Sequence, residues 1–293
     1  MTDTAKTSKS PVLMPEPQHT MLGQATTYHD TYDASLLTPI PRKLGRDAIG
    51  RHDFQGHDYW HLFEVTWLSP NGLPQVAAGL MTVPATTECI VESKSLKLYV
   101  GSFTQSVFPS KEAVEARMTE DLVKLLGEGV RMELTLLSDW QGDAMRPTPL
   151  PGVRLEALPE MKDATFDAFE VDPDLLAVAK DAGEETIEEV FSTELFRSCC
   201  PVTGQPDHAG VVVRMKGPKA DRAGLLKYLV SYRCHRGFHE QCVEQIFTDL
   251  SNVFSPEILE VHALFTRRGG IDISPFRSNV RSTPDTVLRS PRQ

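Results

Sequence analysis

Cys200 and Asp207 stand seven residues apart in SCCPVTGQPDHA, the stretch from Ser198 to Ala209. A free thiol has a pKa of about 8.5, so it is only partly ionised near neutrality, yet its thiolate is a strong nucleophile. A Gly-Gln-Pro turn lies between the two residues and returns the chain. An Asp brought back beside the thiol can accept or donate a proton. A plainer reading competes: an arbitrary Cys is more often a small buried hydrophobe, and an Asp after a turn is more often a turn residue. Cys199 reads as a structural neighbour, because a disulfide between adjacent cysteines is strained.

Three other stretches carry chemistry. In CHRGFHEQC, Cys234 to Cys242, His239 and Glu240 open a predicted helix just after Gly237. A carboxylate there is favoured by the helix N-terminus. The alternative is a donor and acceptor aimed at a heterocycle. Cys200, Cys234, His235, His239 and Cys242 are zinc-ligand types, but no CxxC pair supports a zinc site. ESKS, Glu92 to Ser95, reads by itself as a solvated charged turn. TRRGG, Thr266 to Gly270, joins two guanidinium forks to flexible backbone, which suits a phosphate as well as it suits a surface turn. No GxGxxG follows a strand and no GxxxxGK[ST] occurs, so a dinucleotide would not be held by a Rossmann unit.

Two similar halves would position these groups. The first has FEVTW (63–67) as a half-buried strand, an Asn-Gly turn in SPNGLP, and VAAGLMTV as the returning strand. A helix over 110–126 follows, with Ser110 as N-cap, then the strand VRMELTLL. The second has AGVVVRM as a strand, RAGLLKYLVSYR as a helix, and FHEQCVEQIFTDLSNVF as a helix burying Val243, Ile246, Phe247, Leu250 and Phe254. ILEVHALFT is a strand, with room for another after RRGGIDISPF. SPNGLPQVAAGLMTV, from Ser69, aligns with CPVTGQPDHAGVVVR, from Cys200, with a one-residue gap. LKLYV aligns with LKYLV and DLVKLL with DLSNVF, all at offsets between 128 and 132. With the gapped pair counted on either side of its gap, four matches in one order indicate a duplication. The expected class is α+β, an antiparallel sheet with helices packed on one face. Ser69 stands where the second copy has Cys200, Gln75 stands for Asp207, and RAGL stands for ESKS. A division of this kind predicts one site built from both halves. The expected divisions are a loosely ordered arm over 1–45, a first module over 46–146, an acidic bridge over 147–190 with a helical stretch in PDLLAVAKDAGEETIEEVF, and a second module over 191–293.

At 293 residues and a net charge of -10 the chain can bury a large core but is a poor match for a phosphate backbone, so nucleic-acid binding is disfavoured. No apolar run is long enough to span a bilayer and no signal core opens the chain, so the expected location is the cytoplasm. Five cysteines, an odd and sparse set, argue against a disulfide framework.

CPVTGQPD, ESKSLKLY, FHE and RRGGIDISP together resemble the NADPH-dependent 7-cyano-7-deazaguanine reductases (QueF), the nitrile reductases of queuosine biosynthesis, in their long two-module type. The likeness runs from about Leu37 onward. It implies tandem duplicated tunnelling-fold (T-fold) modules, a homodimer, NADPH as cofactor and the free deazaguanine base as substrate. By this resemblance Cys200 attacks the nitrile carbon to give a thioimide, Asp207 moves the proton, and His239 closes over the base. Val91, Glu92, Ser93, His239 and Glu240 match the substrate positions. Ser93, Lys94, Arg268 and Gly269 match the cofactor positions, and no metal is called for. A zinc-dependent cyclohydrolase-like enzyme of the same fold stands as the alternative.

Overall fold

The computed structural model describes residues 28–140 and 146–293. In chain order the elements are β1 (Pro39–Pro41), α1 (Lys43–Ile49), β2 (Gly56–Leu68), β3 (Pro74–Pro84), β4 (Cys89–Val91), α2 (Ser93–Gly101), α3 (Lys111–Leu126) and β5 (Arg131–Leu136). There follow β6 (Val153–Arg154), β7 (Ile187–Cys199), β8 (Pro206–Gly217), α4 (Arg222–Ser231), α5 (His239–Phe254), β9 (Ile258–Phe265) and β10 (Ile271–Ser278). Eight strands form one sheet in the order β5-β3-β2-β10-β9-β8-β7-β6, antiparallel except at β6–β7. The seam between the two halves is β10 against β2, in register from Ile271 opposite Leu62 to Arg277 opposite Gly56.

Alternation puts one continuous face of this sheet under the helices. Trp60, Leu62, Met81, Met132 and Ile273 pack beneath α2 and α3, whose Leu96, Tyr99, Val114, Met118 and Leu122 are buried. Val211, Val213, Val261 and Ala263 pack beneath α4 and α5, with Leu225, Val243, Ile246, Phe247 and Leu250. The expected helical face of α5 is therefore the one it buries. Ser110 caps α3 by accepting the Ala113 amide, 3.3 Å away.

The halves repeat in detail. Both first hairpins slip register by a bulge, at Leu62/Val65 and at Thr193/Phe196. Each hairpin end makes a parallel bridge to the chain after the next helix, Leu68 with Val107 and Cys199 with Arg236. Tyr99 donates to Asp121 across α2 and α3 at 2.7 Å, as Tyr228 does to Asp249 across α4 and α5 at 2.6 Å. Ser102 and Ser231 each donate back to the carbonyl of that tyrosine. These pairs align YVGSF with YLVSY, one residue off the LKLYV/LKYLV match read from sequence.

Four expectations need correction. Residues 34–45 of the supposed arm are ordered as a 3-10 turn, β1 and the start of α1, because Ile40 and Arg42 there, and Arg46 just beyond, are buried; residues 1–27 of it lie outside the described residues. PDLLAVAKDAGEETIEEVF holds a 3-10 turn at Pro173–Leu175 and an isolated antiparallel bridge from Val178 to Ala220, and no α-helix, before β7 begins at Ile187. Its Ile187, Val190 and Phe191 are strand formers with β8 as a partner, and tertiary pairing overrides the helical propensity of the acidic run. The acidic bridge also enters the sheet, through β6, and its last residues belong to β7. The final strand is IDISPF itself, not a segment after it.

Candidate active site

Cys200 is the first residue past β7. Its amide donates to the Gln205 carbonyl at 2.8 Å, and its own carbonyl accepts from Gly204 at 3.0 Å. Gly204 takes φ +67, a conformation that glycine adopts without steric cost. The loop closes with Cys199 opposite Pro206 and Ser198 opposite Asp207. In the first half Leu68 faces Pro74 and Trp67 faces Gln75. Ser69 and Gln75 thus hold the positions of Cys200 and Asp207, and the hairpin is common scaffold.

Burial alone would raise the Cys200 thiol. Hydrogen bonds from the Thr203 side chain and amide and from the Val202 amide, with the nearby Arg268 charge, outweigh burial and lower it. The Thr203 amide lies 3.5 Å from Sγ. Asp207 is buried and stands between two partners: Oδ1 accepts from Arg268, and Oδ2 is 3.5 Å from His239 Nε2. His239 opens α5 and stacks on Phe265, with ring centroids 3.8 Å apart and planes 10° from parallel. Burial pushes it down to about 4 against the pull of the Glu240 carboxylate, so the imidazole is neutral at pH 7. Glu240 is 3% exposed and its Oε1 has no hydrogen-bond partner among the described residues. Burial, and secondarily the Asp58 charge, push it up to about 7, with His239 and Arg42 opposing.

The first half supplies the facing wall. Val91 ends β4, and Ser93, Lys94 and Lys97 lie on the first turns of α2. Together with Cys200, Asp207, His239, Glu240, Arg268 and Gly269 they line a cavity of about 420 Å³ within this one chain. That size suits a small molecule. Arg268 to Ile271 form a tight turn with Gly269 and Gly270 at φ +60 and +78, closed by Arg268 N–H to Ile271 O at 2.8 Å. A Cβ on Gly269 would sit 2.9 Å from Lys97 Cδ, so glycine there also admits the lysine.

Glu92 is the exception. ESKS is no solvated turn: Glu92 is fully buried and caps α2, its oxygens accepting from the Lys94 amide at 2.8 Å and the Ser95 amide at 2.7 Å. Burial raises its pKa against those two bonds. It does not line the cavity, and it holds in place the residues that do. The cavity also includes Trp60, Lys97 and Phe238, which the motif reading passed over. Lys97 was accessible in principle, because it follows Lys94 and Ser93 by three and four residues and shares their helical face. Phe265 and Thr203 carried no comparable signal.

The zinc ligand types do not assemble. Cys234 is exposed, and Cys242 lies in the core with its thiol pushed up to about 12 by burial. His235 and His239 are four apart, yet only His239 lies on α5. Among the described residues no three His, Cys, Asp or Glu converge as a metal site would require.

Two family models match the chain: one described as "Nitrile reductase, 7-cyano-7-deazaguanine-reductase N-term" over residues 28–134, and one as "QueF-like protein" over 206–284. The chain is 44% identical over 280 residues to the NADPH-dependent 7-cyano-7-deazaguanine reductase of Burkholderia orbicola (strain MC0-3), covering 94% of this chain and 99% of that protein. It is 45% identical, over the same shares, to the proteins of that name from Burkholderia ambifaria (strain ATCC BAA-244) and Burkholderia multivorans (strain ATCC 17616). A solved structure titled "Crystal structure of the archaeosine synthase QueF-Like in the apo form" covers 33% of this chain and 94% of its own, at 16% identity and a TM-score of 0.29.

Proposed function

The chain belongs to the family of NADPH-dependent 7-cyano-7-deazaguanine reductases, and from that membership we propose how its own residues carry out the reaction. It reduces the nitrile of 7-cyano-7-deazaguanine to an aminomethyl group, a step of queuosine biosynthesis, at the expense of two NADPH. The observation that carries the assignment of residues is the convergence of Cys200, Asp207 and Glu240 on one cavity whose opposite wall is the N-terminus of α2.

Cys200, its thiol lowered by the Thr203 and Val202 bonds and by Arg268, attacks the nitrile carbon. A C–S bond forms, one C–N π bond opens, and the nitrogen takes a proton, leaving a thioimide. Asp207 is the buried group beside the hairpin that carries the proton from sulfur to nitrogen, with His239 and Arg268 fixing its two oxygens. The Cys200 thiolate leaves after the first reduction, and the resulting C=N bond is open to the second. Glu240 accepts two parallel N–H bonds from the amino-pyrimidinone edge, and Val91, Ser93 and His239 enclose the base. Glu92 acts through α2.

The residues present fit the cofactor. Ser93, Lys94 and Lys97 at the α2 N-terminus, with Arg268 and Gly269 across the seam, concentrate positive charge in an otherwise acidic chain, and the Gly269 backbone allows close approach. NADPH, when bound, supplies the hydrides.

Added to purified protein without NADPH, 7-cyano-7-deazaguanine should give a covalent adduct visible by intact-protein mass spectrometry. Cys200→Ala should lose it, and an adduct persisting in that variant would overturn the nucleophile. NADPH oxidation should depend on the nitrile, consume two equivalents per product, and survive a chelator. Family membership does not favour the zinc-dependent alternative.

The repeated hairpins, bridges and Tyr–Asp bonds support tandem T-fold modules joined at β2–β10, with the boundary near the start of β7. The family resemblance further supports a cytoplasmic homodimer without nucleic-acid partners, which light scattering on the purified chain checks. No helix among the described residues is long and apolar enough to cross a membrane.

A further inference from the structure

Behind Glu240 lies a buried cluster of charge that the steps above leave unused. Arg42 precedes α1, Arg46 lies in α1, Asp58 in β2, Glu244 in α5 and Arg277 in β10, and none is more than 7% exposed. Arg277 donates to Asp58 at 2.7 Å and to Glu244 at 2.9 Å. Arg46 clamps Glu244 through Nε at 3.0 Å and Nη2 at 2.7 Å. Arg42 Nη2 donates to Asp58 at 2.6 Å and Nε to Thr87 at 3.1 Å. Three guanidiniums therefore face two carboxylates, one positive charge in excess.

The excess has a direction. Arg42 Nη1 makes no hydrogen bond among the described residues, and it lies 3.8 Å from Glu244 Oε1. Glu240 is one helical turn before Glu244 on the same face of α5, and its Oε1 is likewise buried and unpartnered. The charged and titratable groups acting on Glu240 are His239 and the buried Cys242 thiol of its own helix, Asp58 of β2 and Arg42. A carboxylate buried without a counter-charge stays protonated, and only its ionised form accepts N–H bonds on both oxygens.

We propose that Arg42 is a positioning residue for the reaction: its unused guanidinium nitrogen is the counter-charge that keeps Glu240 ionised and able to hold the base, while Asp58 works against it. Affinity for the base is thereby tuned from the first half of the chain. This rests on the reading of Glu240 as the group that holds the base.

The test is the KM for the base in nitrile-dependent NADPH oxidation, followed from about pH 5.5 to 9. In the wild type KM should rise as pH falls through about 7, where Glu240 takes up its proton. Arg42→Gln should raise KM about 5-fold at neutral pH and move that rise upward by about one pH unit, with kcat changed far less. Arg42→Lys, which keeps the charge, should bring the profile back toward wild type. Asp58→Asn should move it the opposite way, to lower pH. With Glu240→Gln already present, Arg42→Gln should add nothing. An equal KM effect with and without Glu240, or an unmoved pH profile, overturns the proposal. If Arg42→Gln does not fold, the sign of the Asp58→Asn shift decides: downward supports the proposal, and no shift or an upward one refutes it. A Glu240→Gln variant with unchanged KM would instead remove the base-holding reading, a result distinct from intact Glu240 binding that Arg42 fails to influence.

Discussion

A thiol loop without the Thr203 hydroxyl would be a slower nucleophile. Burial of Cys200 disfavours the thiolate, and the balance is tipped only by short-range donors and one cation. Thr203→Val keeps the amide and removes the hydroxyl. Adduct formation should then need a higher pH, by about half to one unit, and slow several-fold at pH 7. A stopped-flow pH profile of adduct formation checks this, and an unmoved profile would leave the lowered thiol to Arg268 and the amides. The residue types at this site were legible in the sequence, because Cys, Asp, His and Glu advertise their chemistry. Thr203 and Phe265 were not, since their contribution is a contact and not a residue type.

At the scale of elements, the decisive piece is the first turn of α2. Glu92 serves two α2 amides with one carboxylate, and so fixes the directions of Ser93, Lys94 and Lys97. Glu92→Ala should cost about 1–2 kcal/mol of stability, lowering the melting temperature by a few degrees, and should raise the KM for NADPH. A thermal melt and a cofactor titration on one preparation read both, and a variant with unchanged melting temperature would deny the cap its importance. From sequence ESKS looked like a solvated turn, since four polar residues in a row carry no periodicity. The helix is visible only when the following LKLYVGSF is read with it, because Leu96, Tyr99 and Val100 form its buried face.

At the scale of the whole molecule, the halves are joined by β2 against β10 and by the Arg277 network beneath that seam. Arg277 is fully buried and bonds carboxylates from both halves. Arg277→Leu would leave Asp58 and Glu244 short of a partner, at a cost of about 3–5 kcal/mol. Chemical denaturation should show that loss in a single transition; loss confined to one of two separate transitions would mean the halves fold apart. Acid acts on a different set. His235, His239 and His262 are each held down to about 4 by burial, below the ordinary 6.5. Their contribution is present above pH 6.5 and is lost as pH falls through 4. Glu240, raised to about 7, has the opposite sign: its contribution is present below its ordinary 4.5 and is lost as pH rises through 7. His262→Phe should therefore flatten the acid limb of stability by about 1.4 kcal/mol per pH unit, one proton's worth, and an unchanged slope in the melts would refute it.

By itself the sequence determined the α+β class and the turn between Cys200 and Asp207, and it raised the expectations of a duplication and of one site shared by both halves. These follow from local pattern: period-two and helical spacing, turn residues, and the comparison of one copy with the other. Only the tertiary structure decided that β10 inserts beside β2, that residues 34–49 are ordered by burying Arg42 and Arg46, and that Glu92 faces a helix and not the cavity. It alone brought Arg42 to within 3.8 Å of Glu244, one helical turn from Glu240 and about two hundred residues on in the chain. The physical reason is one of range. Propensity and turn chemistry act over a few residues, whereas burial and charge pairing act through space between segments whose separation no spacing rule records.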